Sequence, residues 1–118
     1  MTKTKAKGSG GSQIEISVLV PVMNEAGNIR PLIDEIAAAF AGRRFEIIYV
    51  DDASTDASPA ELADSAADVP ELRVLRHARR AGQSAAIRTA LLRARGTLIA
   101  VLDGDGQNVP SDLPNLEV

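Results

Sequence analysis

Apolar residues recur along this chain in two alternating rhythms. Ile16 to Val22 (ISVLVPV), Phe45 to Val50 (FEIIYV), Leu72 to Arg76 (LRVLR) and Leu98 to Leu102 (LIAVL) are short runs of β-branched and aliphatic side chains, the signature of strands. Between them, Ile29, Leu32, Ile33, Ile36 and Phe40 return at helical spacing. Ile87, Leu91 and Ala94 do the same, which predicts one buried face for a helix from about Gln83 to Arg95. The punctuation agrees: Asn28 is placed as an N-cap, Pro31 falls in a first turn, and Gly42 and Gly96 stand where helices stop. Ser58-Pro59-Ala60-Glu61 has the form of a capping box opening a helix that ends near Asp68 to Pro70. Strands alternating with helices imply parallel strands joined by right-handed crossovers, hence an α/β fold with a mainly parallel four-stranded sheet flanked by helices. Leu98 to Leu102 is apolar at every position, so that strand is expected to be covered on both faces.

The two ends read differently. Residues 1–13 (MTKTKAKGSGGSQ) lack any apolar pattern and predict a flexible tail or linker, leaving one globular domain over 14–118. Another helix is expected to begin after Ser111 or Asp112.

Composition narrows the function. A formal net charge of −3 argues against a general nucleic-acid binder. Without cysteine there is neither a disulfide framework nor a thiolate metal site, and the single His77, read as a strand-end residue, excludes a histidine cluster. No run is apolar for long enough to span a membrane, and no signal-peptide core opens the chain, so a cytoplasmic location is expected.

The candidate chemistry lies where the strands stop. Asn24 and Glu25 follow the first, Asp51 and Asp52 the second, and Asp103 and Asp105, separated by Gly104, the fourth. In parallel sheets ligands bind at the carboxyl ends of the strands. Acids gathered there should repel each other unless a ligand organises them; a hard divalent ion, Mg²⁺ or Mn²⁺, is suited to Asp103 and Asp105, with Gln107 adding a neutral oxygen. Gly104 and Gly106 should let a ligand or metal approach the backbone. The earlier acids can accept hydrogen bonds from sugar hydroxyls or base N–H groups, so a nucleoside diphosphate bound as its metal complex meets both demands. There is no Gly-x-Gly-x-x-Gly after the first strand and no Gly-Lys-Ser/Thr loop, which disfavours dinucleotide enzymes and P-loop ATPases. Gly82-Gln83-Ser84, with Arg79 or Arg80 nearby, has the form either of an anion site at a helix head or of a simple helix start.

Four motifs in this order, VPVMNEAGNI (Val20 to Ile29), YVDDASTD (Tyr49 to Asp56), RRAGQSAA (Arg79 to Ala86) and LDGDGQNVPSDLP (Leu102 to Pro114), resemble the N-terminal half of a family 2 glycosyltransferase. Within that family the chain is most similar to the polyprenyl-phosphate branch typified by dolichyl-phosphate mannose synthase. The resemblance implies a Rossmann-like nucleotide-binding half of a glycosyltransferase A fold. It implies that Pro21, Met23, Glu25, Asp51, Asp52 and Asp103 bind the nucleotide, and that Asp103, Asp105 and Gln107 hold the metal. The donor implied is a GDP-mannose or UDP-glucose type of sugar nucleotide, the acceptor a lipid-linked phosphate, and the transfer inverting. The full-length parent would act at the inner face of the membrane, and this chain would lack the acceptor half and do little catalysis alone. Arg80, where Asn is common, and Gly106, where a bulkier residue is common, depart from the family pattern.

Two other classes compete with that reading. A non-catalytic nucleotide-binding or assembly module would bind without turnover, and the free edge of a shortened sheet is a route to homo-oligomers. An Asp-based phosphoryl-transfer domain also gathers acids at strand ends, but every lysine lies in the first seven residues, leaving none for such a site.

Overall fold

The computed structural model describes residues 13–104, in which strand and helix alternate as β1 (Ile16–Val22), α1 (Ile29–Ala39), β2 (Phe45–Asp51), α2 (Ser58–Asp68), β3 (Leu72–Arg76), α3 (Gln83–Arg93) and β4 (Leu98–Val101). Residues 1–12 of the expected tail, Asp105, Gly106, Gln107 and the helix expected after Ser111 or Asp112 lie outside the described residues. All pairings are parallel, in the order β3-β2-β1-β4. Chain order therefore reverses at β1: β2 and β3 are added on one side of it and β4 on the other.

Alternation along the strands distributes the core between two faces. Ile16, Val18, Val20 and Val22 of β1, with Phe45, Ile47 and Tyr49 of β2, pack with Ile29, Leu32, Ile33 and Ile36 of α1 and Leu62 of α2. Leu19, Ile48 and Val50 meet Ala86 and Ala90 of α3 on the other face. That second contact corrects the face expected for α3. The two alanines are buried and Leu91 is 51% exposed, because small side chains let the helix backbone settle closely on the sheet.

β4 also departs from expectation. Among the described residues it pairs only with β1, and Ile99 and Val101 are 43% and 46% exposed. Within the described residues it is an edge strand with one open face, not a strand covered on both. No helix of the described residues is long and apolar enough to cross a membrane.

At the amino ends of the strands a carboxylate is buried. Glu46, 1% exposed, accepts from Ser17 Oγ at 2.6 Å, the Arg95 backbone N–H at 2.7 Å, Arg73 at 2.8 Å and Arg95 Nε at 3.1 Å. Burial pushes its pKa up, but these donors outweigh it and hold the carboxyl below its ordinary value. Ser17 Oγ in turn accepts from the Gly96 N–H at 2.8 Å. A Cβ on Gly96 would stand 2.7 Å from the Ser17 backbone nitrogen, so glycine is needed there for close approach to β1.

Glu46→Ala strands Ser17 Oγ and the Arg95 N–H in a buried place. It is expected to lower unfolding free energy by about 2 kcal/mol, the half-buried Arg73 and exposed Arg95 guanidinium groups, which can turn to water, contributing little of that loss. Glu46→Gln, which keeps an acceptor, should cost less; urea denaturation of the two variants measures the difference.

Candidate functional site

The loop after β1 is stitched to the loop after β2 by side chains. Asn24, at φ 55°, donates its backbone N–H to Ser54 Oγ at 2.9 Å, and its Oδ1 accepts from the Thr55 N–H at 2.8 Å and the Asp56 N–H at 3.3 Å. The Glu25 N–H donates to Ser58 Oγ at 3.0 Å, and the Gly27 N–H to both Glu61 oxygens at 2.9 and 3.1 Å. Ser58 and Glu61, the expected capping box, therefore cap the neighbouring loop and not their own helix, which has no side-chain cap. Asn28 likewise makes no cap for α1; its amide donates to Glu25 Oε1 at 3.2 Å. Loop N–H groups without a ladder partner need acceptors, and these side chains are within reach.

Asp51 and Asp52, adjacent in sequence, serve different places. Asp51 Oδ1 accepts from the Ser54 N–H at 3.0 Å, while Oδ2 faces Arg76 Nε at 3.4 Å and makes no hydrogen bond among the described residues. Asp52 Oδ1 accepts from the Ala81 N–H at 2.8 Å and lies 2.8 Å from His77 Nδ1; Oδ2 accepts from the Gly82 N–H at 2.8 Å. Burial pushes the Asp52 carboxyl up, but the hydrogen bonds from His77, Ala81 and Gly82 prevail and hold it below the ordinary carboxylate value. The anion at the head of α3 is thus the protein's own, and the Gly82 N–H is already engaged.

His77 directly follows β3, the strand-end place expected for it. In the structure its Nε2 lies 2.8 Å from Thr89 Oγ1, so the ring ties Asp52 to the middle of α3. An ionised Asp52 can only accept, which places a hydrogen on Nδ1; in the neutral ring Nε2 then accepts from the Thr89 hydroxyl. Nothing in the local sequence signals this role, since Thr89 and Asp52 come from other elements.

A pocket of about 320 Å³ opens where the strand order reverses, lined by Pro21, Val22, Met23 and Glu25 after β1, Asp52 after β2, Arg80, Gly82 and Gln83 at the head of α3, and Asp103 and Gly104 after β4. Five residues singled out from the sequence, Pro21, Met23, Glu25, Asp52 and Asp103, meet here; Asp51 stands outside the lining, against Arg76. Gln83 Nε2 donates to Asp103 Oδ1 at 3.4 Å, a contact the sequence does not announce. Gly104 lines the pocket, but its missing side chain is explained by β1: a Cβ there would stand 2.7 Å from the Pro21 carbonyl oxygen and collide with Val22. Asp103, an exposed hard-oxygen donor, fits a Mg²⁺ or Mn²⁺ ion; Asp105 and Gln107 lie outside the described residues, among which no group of three metal-ligating side chains is gathered.

The fold and this pocket define a Rossmann-like α/β domain with an acidic pocket at its switch in strand order. The chain belongs to glycosyltransferase family 2, the family model "Glycosyl transferase family 2" matching residues 17–116. It is 40% identical over 106 residues to the dodecaprenyl-phosphate galacturonate synthase of Rhizobium johnstonii, covering 87% of this chain and 31% of that protein. It is 41% identical over 105 residues to the undecaprenyl-phosphate 4-deoxy-4-formamido-L-arabinose transferase of Pseudomonas paraeruginosa, covering 86% and 31%. The chain thus spans about a third of the length of these relatives, both named for polyprenyl phosphates. Among solved structures, the mannosyltransferase PcManGT of Pyrobaculum calidifontis, in complex with GDP-Man and Mn²⁺, superposes with a TM-score of 0.74 at 30% identity, over 83% of this chain and 29% of that one. TarS 1–349 of S. aureus, in complex with UDP-GlcNAc, shares the fold at a TM-score of 0.71 and 23% identity, over 87% and 30%. The glycosyltransferase A sheet expected from the motifs is the fold observed.

Because the Asp52 carboxyl is held below its ordinary value, the unfolded chain binds more protons in acid than the folded one. The stability it confers is complete above the ordinary carboxylate range, near pH 4, and is lost as pH falls through its lowered folded value. Asp52→Asn is therefore expected to melt lower at pH 7 and to lose less on acidification, so that its melting curve against pH converges on that of the parent chain below about pH 4.

Proposed function

We propose that this chain is the donor-binding part of a metal-dependent, inverting glycosyltransferase that moves a sugar from a nucleoside diphosphate to a polyprenyl phosphate. The observation that carries the reading is the meeting of Glu25, Asp52 and Asp103, from three separate loops, in one pocket. The polyprenyl phosphates in the names of both relatives support the acceptor class, and the GDP-Man and Mn²⁺ bound to the mannosyltransferase support the donor class and the metal.

In this reading Pro21, Met23 and Glu25 line the nucleoside, and Asp52, the acid of the pair that reaches the pocket, stands at the base. Asp52 acts there chiefly by fixing the loop of Ala81 and Gly82, since its oxygens already have protein donors. Asp103, with Asp105 and Gln107, would hold Mg²⁺ or Mn²⁺, which would supply positive charge to offset that building on the departing diphosphate. An oxygen of the acceptor phosphate attacks the anomeric carbon from the face opposite the diphosphate. The new C–O bond forms as the old one breaks, its electron pair leaving with the nucleoside diphosphate, so the configuration inverts. An ionised phosphate is already a nucleophile, so this chain need not supply a general base to it. The remainder of the acceptor site is assigned to the part of the relatives that this chain does not span.

Calorimetric titration of GDP and UDP, with and without Mn²⁺, tests this on the chain and on Asp103→Asn. One nucleotide should bind in a metal-dependent way, and the variant should bind it at least about tenfold more weakly. Absence of nucleotide binding by a chain that circular dichroism shows to be folded would overturn the reading.

A further inference from the structure

Of the charged residues lining the pocket, three are acids, Glu25, Asp52 and Asp103, and one is basic, Arg80. The acids have neighbours: Glu25 accepts from Asn28, Asp52 from three donors, and Asp103 from Gln83. Arg80 does not. It is exposed, and its guanidinium forms no hydrogen bond or ion pair among the described residues. Arg30, Arg43, Arg73, Arg76 and Arg95 each sit against a carboxylate, whereas Arg80 does not, although three acids share its pocket.

Its backbone is nonetheless held. The next two N–H groups, of Ala81 and Gly82, are both fixed on Asp52, so the side chain hangs at the pocket from an anchored point. A guanidinium offers five N–H donors in a planar fork and no acceptor, so its complement is a pair of negatively charged oxygens. The Gly82 N–H at the head of α3 is taken by Asp52. Arg80 is therefore the cationic donor in the described lining that remains open to an incoming ligand.

We propose that Arg80 binds an oxyanion of the sugar-nucleotide donor, pairing its N–H fork with oxygens of the diphosphate or of a carboxylate carried by the sugar. This inference rests on the donor-binding reading above and adds to it the residue that reads the donor's negative charge.

The test compares the chain with Arg80→Asn and Arg80→Lys by calorimetry in the presence of Mn²⁺. The probes are uridine, UDP, UDP-glucose and UDP-glucuronate, or guanosine, GDP, GDP-mannose and GDP-mannuronate where guanine is the base bound. An exposed, unpaired side chain leaves folding unchanged, so both variants should melt with the parent. Arg80→Asn should weaken binding about tenfold for ligands that carry the oxyanion and leave the bare nucleoside unaffected. Arg80→Lys should recover part of that loss, as a point charge without the fork. Equal losses for the diphosphate and both sugar nucleotides assign the diphosphate; a loss confined to the hexuronate assigns its carboxylate. Parent and Arg80→Asn binding every probe alike would overturn the inference and leave the donor reading standing, as would a loss shared by the bare nucleoside. A folded parent chain that binds none of the probes would overturn both.

Discussion

The arrangement of the whole domain turns on β1, where the order of strands reverses. β1 is hydrogen-bonded to β2 along one edge and to β4 along the other, although β4 follows it only after two further strands. The connection that leaves β1 runs toward β2, while β4 lies on the other side of β1, so the residues just after β1 and just after β4 face each other across a crevice. The ladder reaches to the edge of that crevice: the Asp52 N–H donates to Val22 O at 2.9 Å and the Leu102 N–H to Leu19 O at 3.0 Å. Asp52 and Asp103 are thereby brought to the same end of the sheet, and Gly104 closes against Pro21 and Val22 because no side chain separates them.

A crevice made of loops leaves backbone N–H groups without ladder partners, and side chains have to supply the acceptors. Asn24, Ser58, Glu61 and Asp52 do so across elements, and this changes the electrostatic argument about the acidic strand ends. Acids so close together are not left to repel one another until a ligand arrives. Asp52 is stabilised as an anion by its own donors, and Asp51 faces Arg76. Preorganisation of this kind leaves Arg80, exposed and without an ion pair among the described residues, as the charged group of the described lining that is open to a ligand.

The two ends of the sheet divide the labour. At the amino ends Glu46 is enclosed by Ser17, Arg73 and Arg95, a network whose effect is to lock the turn after α3 onto β1. At the carboxyl ends the polar groups line an open pocket. Parallel strands make such a division available, since every strand starts at one end and finishes at the other.

The strands, the helices and their alternation were legible in the sequence because hydrophobic period and turn residues act locally; β1, β2 and β3 lie within a residue of their expected bounds. So was the gathering of Glu25, Asp52 and Asp103, since parallel topology brings the residues after each strand to one edge. Three things were decided only by the tertiary structure. Ser58 and Glu61 have the sequence of a capping box, but a nearer need, the bare N–H groups of another loop, takes their oxygens. Ala86 and Ala90, not Ile87 and Leu91, define the buried face of α3, because the distance between helix and sheet selects small side chains there. Asp51 and Asp52 look alike in sequence, yet one faces Arg76 and the other holds the head of α3 through His77, Ala81 and Gly82. Hydrophobic periodicity is a property of neighbours in the chain, whereas the partner of a carboxylate is whatever donor the fold brings within 3 Å of it.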